Sequence, residues 1–561
     1  MAHKATVLYS YRSTYLPRVW WVVLFVLVMG TGWFHPTKAI FLLDYVPAPI
    51  RLWEGSYYFH KAWIWTVTDG ILWMFGHVWW SKLYLGGLCV GSLLLGYRRA
   101  GWIVKHGFAH ASPRLQTWAL LVGMTLFVVN PVYSARMGTQ PGIWLWIVLL
   151  GRWIYRLLTR WQTLRHKDAL IIGCFRWVAM MTMQHASFMI VLMLICFVLV
   201  QRSWKPVVQA GIIAGIVGLL NANRLLAGLS GTTQFVEKAL SYSSANMEEF
   251  ATIQYGSMGP IVTSLLWYGF RGEKYGSAYI PVVSNARWWI AGSLLVCLWR
   301  RGRYRAVRQR LLTRSQGVRI MVVALLSLLL GVGIASDMLA PTVQWLHDHL
   351  PGYRGMREPH KRVGVYMMLL LPGIVYGRMW LWLAVQKYRD SRRYTGAMLL
   401  LCFARAPWVI GGMQGRYTVT DYPSSYSDVR ELLTSPALQG KTRVHLPWHN
   451  YMQCAWTKQV IANPLRAYMR PASVIIGDNI EIGDLYTNST SARSKDIETF
   501  LTTHEVSLLQ QHWIDGIVYT PTCADFERYA WLATLTGMHV VSTSSDLILY
   551  LIDEENGLYT P

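Results

Sequence analysis

Between residues 17 and 412 the sequence alternates long apolar runs with polar stretches, and every second polar stretch is basic. A run needs about 17–25 apolar residues to cross a bilayer, and fewer where flanking side chains snorkel. Such runs lie near 17–34, 81–98, 116–135, 141–158, 168–183, 186–201, 206–224, 286–300, 318–337, 362–384 and 395–412. The pattern predicts eleven transmembrane helices.

Lys and Arg orient the map, because cytoplasmic loops collect positive charge. The N-terminus carries Lys4, Arg12 and Arg18, so it is expected in the cytoplasm. The alternate loops at 98–115, 159–167, 202–205, 300–317 and 385–394 are all basic. The segment RRGRYRAVRQRLLTR (300–314) holds seven Arg and no acid. The opposite loops hold Asp44, Glu54, Asp69, Glu237, Glu248 and Glu249. An odd number of spans then sends the C-terminal segment to the extracytoplasmic side. Val19 to Gly30 is apolar with no small-residue cleavage site after it, which reads as a first span that stays in place.

Composition agrees with this class. Only 14% of the residues are charged, against about 25% in soluble domains. The net charge of +25 is accounted for by the cytoplasmic loops, so no nucleic-acid partner is expected.

From about residue 413 Gly, Pro, Ser, Asp and Thr increase and no further long apolar run appears. RVHLPW (443–448), SVIIG (473–477), DGIVYT (515–520), HVVST (539–543) and LILYLI (547–552) read as strands, and 428–434 and 496–512 as helices. The expected architecture is a transmembrane unit, residues 1–412, and an extracytoplasmic α/β or α+β domain, residues 413–561. Cys454 and Cys523 lie in that domain, where a disulfide is permitted; no C-x-x-C or Cys/His metal spacing occurs.

Several polar groups are assigned to the same outer face. Asp44, in FLLDYVPAPIRLWEG, is the first acid in the chain and sits among apolar neighbours. An ionised carboxylate there needs a partner or a task; a helix cap or a pair with Arg51 would also explain it. In LPGYRGMREPHKR, Arg354, Arg357, Glu358, His360, Lys361 and Arg362 crowd an outer loop, against the positive-inside bias. Arg pairs bidentately with phosphate, and anionic lipid headgroups are the simpler partner. Arg136 and Gln140 in NPVYSARMGTQ, His185 in MQHASF and Arg224 in NANRLLAG end other spans. Turn chemistry or packing would account for each of these singly.

In this order the motifs resemble the GT-C superfamily of membrane glycosyltransferases, in particular the multi-spanning arabinofuranosyltransferase-like branch. The motifs are LLDYVPAP, NPVYSARMGTQ, QHASF, NANRLLAG, ANMEEFAT, SLLWYGFRGE, LPGYRGMREPHKR, YTVTDYPSSYSDVRELL and VHLPWHNY. The resemblance implies a GT-C-like fold and transfer of a sugar, with inversion, from a polyprenyl-phosphate donor to a cell-envelope glycan, lipid or protein. It implies that Asp44 is the catalytic base. It places the donor phosphate on Arg354 and Arg357, with Lys361, Arg362 and Arg136 alongside. Glu54, Asp69, His185, Arg224 and Glu358 are further candidates. Many members carry an acidic pair, and here Asp44 stands alone; a divalent cation, Mg or Mn, therefore stays open, with Asp44 its ligand if there is one. Two other readings stay open: a transporter or lipid flippase, and a non-catalytic membrane protein that binds envelope polymer.

Overall fold

The computed structural model describes residues 15–47, 63–160, 247–270, 298–350 and 353–553, with short internal stretches such as 354–357 and 387–395 excepted, and a few residues between 208 and 219. The described α-helices of seven or more residues in the first part are α1 (Tyr15–Met29), α2 (Trp63–Gly107), α3 (Pro113–Val128), α4 (Pro131–Met137), α5 (Pro141–Arg160), α6 (Arg314–Val332), α7 (Ala340–His349) and α8 (Lys361–Gln386).

Among the described residues, three helices are long and apolar enough to cross a membrane: Met74–Gly107, Arg314–Ala335 and Lys361–Leu383. The α3–α4 pair, bent by 48°, qualifies as a fourth. The chain is a membrane protein on this evidence. The expected spans at 168–183 and 186–201, nearly all of 206–224 and most of 286–300 lie outside the described residues.

Four spans differ in detail from the sequence reading. The helix of the one expected at 17–34 ends at Met29, and Thr31–Phe34 is a 3₁₀ turn. The span expected at 81–98 belongs to the longer helix α2, whose one interruption is Gly76 at φ +71°. The span expected at 116–135 is broken. Pro131 has no N–H to continue the ladder, so α3 ends at Val128 and α4 starts at a new angle. Asn130 serves both ends: its side chain donates to Leu126 O and Phe127 O and accepts from Tyr133 N. The run at 395–412 also breaks, since Pro407 opens a 3₁₀ turn, Pro407–Val409.

The bundle is held by close helix crossings. Gly364 of α8 meets Ile147 of α5, and Gly151 of α5 meets Met368 of α8, each so tightly that a Cβ on the glycine would sit 2.4–2.5 Å from the neighbour. Small residues at such crossings let backbones approach where lipid supplies no hydrophobic drive.

After Val419 the chain forms a mixed sheet. Its strands are β3 (Thr442–Leu446), β6 (Ser473–Ile475), β9 (Ile514–Tyr519), β10 (Met538–Thr543) and β11 (Ile548–Ile552), in the order β10-β11-β9-β3-β6, and β7 (Ile480–Ile482) and β8 (Leu485–Thr487) form a separate hairpin. β3 runs parallel to β6 and β9, and β11 pairs antiparallel with β9 and β10. Alternate residues face opposite sides. Val518 and Leu549 pack with Tyr426, Val429 and Leu433 of helix α9 (Ser424–Leu433). Ile517, Tyr519 and Tyr550 pack with Ile497 and Phe500 of helix α10 (Ala492–Thr503) on the other side. The helix expected over 496–512 stops at His504, whose φ of +62° ends α10. Cys454 and Cys523 form a disulfide, with Cα atoms 3.8 Å apart.

The sheet unit is tied to the loop after α1. β1 (Ala39–Ile40) pairs antiparallel with β2 (Val419–Thr420). Phe41 inserts edge-on against Tyr422 and Trp456. Gly30, at φ +62°, touches the backbone of Gly411 and Gly412; a Cβ there would lie 2.5 Å from Gly412 N.

Candidate active site around Asp44

Four chain segments converge on Asp44, one of them the C-terminal stretch that carries Tyr451. The first is its own loop, which folds into a tight turn: Leu42 N and Tyr45 N each bond the other residue's carbonyl. Asp44 N then donates to Thr139 O at 3.1 Å, which docks the turn on the α4–α5 junction. The second is α4 with Gln140, redirected by Asn130 and Pro131. The third is the segment 358–361 at the start of α8. The ends of α3, α4 and α8 are thus brought to one face of the bundle.

The carboxylate of Asp44 accepts two hydrogen bonds. Tyr451 Oη donates to Oδ1 at 2.6 Å. Gln140 Nε2 donates to Oδ2. Gln140 also accepts, through Oε1, from Arg136 Nη1. Its amide orientation is fixed by these two roles, since the flipped amide would face a donor with a donor. Arg136 is fully buried. Its Nη1 lies 3.4 Å from Glu358 Oε2, its Nη2 lies 3.5 Å from His360 Nδ1, and its guanidinium stacks over the Phe270 ring, 3.6 Å from the centroid. Glu358 Oε2 is shared with Lys361 Nζ at 3.2 Å. The result is one chain of polar contacts: Asp44, Gln140, Arg136, Glu358, Lys361.

Asp44 is reached by solvent, yet dense protein surrounds it and raises its carboxyl pKa by desolvation. The Tyr451 and Gln140 hydrogen bonds oppose the rise; the nearby Glu358 charge adds to it and Lys361 offsets it. The carboxyl is therefore a better base than an ordinary aspartate, because it holds a proton more tightly. A carboxylate offers about four lone-pair directions, so two remain after Tyr451 and Gln140 for an incoming hydroxyl.

His360 is buried, and its pKa is lowered to about 3 by burial and then by Arg136. It is neutral at physiological pH. Its Nε2 faces Tyr268 O at 3.0 Å, so that nitrogen carries the hydrogen and Nδ1 presents a lone pair to Arg136. His360 orients the guanidinium rather than exchanging protons.

Of the residues singled out in the sequence, the structure brings together Asp44, Arg136, Glu358 and Lys361. Arg362 is fully buried and turns away: Nη1 donates to Leu330 O at the end of α6, and the guanidinium lies 5.5 Å from the Tyr353 ring. Glu54, His185, Arg224, Arg354 and Arg357 lie outside the described residues, and of Asp69 only the backbone, within α2, is described. Two site residues lacked an assigned role in the sequence reading. Gln140 had a signal, its i, i+4 spacing from Arg136 across a helix end. Tyr451 closes the VHLPWHNY motif, but nothing in the sequence linked it to Asp44, 407 residues away.

Among the described residues no three His, Cys, Asp or Glu side chains gather to hold a metal ion. A divalent cation on Asp44 would find one carboxylate with two lone pairs already taken, and the neighbouring acid, Glu358, is already paired with two cations. The donors described here do not suit Mg or Mn, which take oxygen ligands.

No family model matches the sequence, and no curated protein matches it. Solved structures do. The single-particle cryo-EM structure of the arabinofuranosyltransferase AftD from mycobacteria superposes with a TM-score of 0.59 at 12% identity, over 98% of this chain and 40% of that one. A mutant of that enzyme, in its second class, gives 0.57 at 11% identity, over 96% and 42%. The shared property is the fold, and the chain spans about 40% of the length of AftD.

Proposed function

We propose that the chain is a membrane glycosyltransferase of the GT-C type. It moves a sugar from a polyprenyl-phosphate donor to an extracytoplasmic acceptor of the cell envelope: a glycan, a lipid or a protein. The observation that carries this reading is the unbroken contact chain from Asp44 through Gln140 and Arg136 to Glu358 and Lys361, in a fold similar to that of an arabinofuranosyltransferase.

The chemistry assigned to it is a single displacement. The acceptor hydroxyl approaches one of the remaining lone pairs of Asp44, which takes its proton as the hydroxyl oxygen bonds to the anomeric carbon. The bond from that carbon to the phosphate oxygen breaks, its electron pair leaves with the polyprenyl phosphate, and the configuration inverts. Arg354 and Arg357, just ahead of Glu358 in sequence, hold the leaving phosphate, where fixed positive charge stabilises the transition state. Lys361 adds positive charge beside them while paired with Glu358. Arg136 belongs to the support of Asp44, and Arg362 to the wall formed by α6. The N-terminus lies in the cytoplasm and the sheet unit outside; the Cys454–Cys523 disulfide supports an oxidising compartment for the latter.

The test uses the full chain in lipid nanodiscs with a panel of synthetic short-chain polyprenyl-phosphate sugars. Release of polyprenyl phosphate is followed with and without added envelope extract as acceptor. The wild type releases it in an acceptor-dependent way, Asp44→Ala lowers the rate at least about a hundred-fold, and EDTA leaves it unchanged. Full activity in Asp44→Ala would remove the base from the mechanism. In sealed proteoliposomes, movement of the intact donor across the bilayer without cleavage would make the chain a flippase instead.

A further inference from the structure

Residues that act on Asp44 come from two parts of the molecule, and the second has no role in the proposal above. Tyr451 sits in the short strand β4 (Tyr451–Met452) of the C-terminal part. β4 pairs with β5 (Ile461–Ala462), Tyr451 standing opposite Ala462. Ala462 N donates to Leu43 O at 2.7 Å, one residue before Asp44. Gln459 Nε2 donates to Phe41 O, and Tyr422 Oη donates to Pro47 O at 3.2 Å. The loop 41–47 is therefore gripped along its length by the C-terminal part, with Asp44 at the centre of the grip.

The tyrosine is itself held in place. On one side Asn463 N donates to Asn450 O at 2.8 Å, and Asn450 N donates to Asn479 O at 3.3 Å. On the other side the disulfide at Cys454 joins the strand to Cys523, and Thr457 Oγ1 bonds both N and O of Cys454. A phenol with so fixed a backbone selects one orientation of the carboxylate it touches.

We propose that Tyr451 is a positioning residue which completes the active site from the C-terminal domain, fixing the rotation of the Asp44 carboxylate so that its remaining lone pairs face the acceptor. The site is then composite. Docking of the C-terminal part on the loop 41–47 is a condition for a competent base. This rests on the reading of Asp44 as the base.

Groups facing Asp44 are Tyr451 from β4, Gln140 from the α4–α5 junction, Glu358 just ahead of α8 and Lys361 at its first position; Arg136 reaches it through Gln140, and Tyr45 follows it in its own loop. Removing the phenol alone takes away a donor that favours the ionised carboxylate. The Asp44 titration should rise by about one pH unit, the size of one hydrogen bond to a charged group.

The experiment needs no substrate for its main readout. Infrared titration of the purified full chain follows the protonated-carboxyl band that disappears in Asp44→Asn. In Tyr451→Phe the midpoint of that band is expected about one pH unit higher, and on the acid limb of the transfer profile the rate about ten-fold lower, the deficit shrinking as the pH rises. A merely structural tyrosine would alter melting without moving the midpoint, and an unmoved midpoint in a folded Tyr451→Phe overturns the proposal. A second measurement avoids dependence on that variant. In the double variant Asp44→Cys with Tyr451→Cys, a short bifunctional thiol reagent should join the two positions, as read by mass spectrometry of the peptides; failure to join them also overturns it. Activity in Asp44→Ala would instead count against the base assignment, whatever the titration of Tyr451→Phe shows.

Discussion

On its α4–α8 side Asp44 meets a line of charges, and on its β4 side it meets a neutral phenol. The charged side is deep: Arg136 is fully buried and reaches Asp44 only through the amide of Gln140. The β4 side is direct, with one hydroxyl at 2.6 Å, held by main-chain bonds and a disulfide. The two sides differ in what their loss would do. A buried charge network is costly to break, because removing one partner leaves the other desolvated. A neutral hydrogen bond is cheaper to lose, and its effect is confined to the group it touches. The charged side therefore sets whether this corner of the molecule folds, and the phenol side sets how the carboxylate behaves once it has folded.

The sharpest way to break that division is Glu358→Leu. It leaves Arg136 and Lys361 without their shared carboxylate, and about 3 kcal/mol of stability should be lost, read by thermal unfolding in detergent. A loss below about 1 kcal/mol would put the pair among weak surface contacts and erase the contrast.

A smaller effect is expected where α1 meets the segment just ahead of the sheet unit. Gly30→Ala places a methyl against the backbone of Gly412 at a φ that L-residues rarely adopt. A cost of about 2 kcal/mol follows, measured as a lower melting temperature. The docking contact also implies that the Asp44 titration of this variant moves upward, as in Tyr451→Phe. If only melting changes, the grip on the loop does not depend on this crossing.

The smallest effect concerns Asp44 itself. Burial raises its folded pKa above the unfolded value, so its contribution favours folding below the unfolded pKa and is lost as pH rises through the folded pKa. Asp44→Asn should then melt slightly higher than the wild type at neutral pH, by less than about 1 kcal/mol since solvent reaches the group. At a pH below both values the two should coincide. A lower melting temperature at neutral pH would mean that the ionised carboxylate stabilises the fold.

Much of this was legible in the sequence, for reasons that depend on distance along the chain. Asp44 stood out because a carboxylate among Phe41, Leu42 and Leu43 is conspicuous. The break of α3 was marked by Asn130-Pro131, a cap followed by a residue that cannot continue a helix. The apolar runs near 443, 473, 515, 539 and 547 coincide with β3, β6, β9, β10 and β11. The two-residue strands β1, β2, β4 and β5 left no periodicity, because their partners supply the reason for their extended form. The extra length of α2 was hidden by Asp69, Gly76 and His77, which lower its apolar character without ending the helix. The turn of Arg362 towards Leu330 also left no trace, since the basic cluster reads the same whichever way each side chain points.

The contact between Asp44 and Tyr451 also sets a clock on the making of the molecule. The two residues are 407 positions apart. At about 5–20 residues per second the ribosome reaches Tyr451 roughly 20–80 seconds after Asp44. Until then the loop 41–47 lacks its partners in β4 and β5. The carboxylate thus acquires its phenol only when the C-terminal part has been made and has docked.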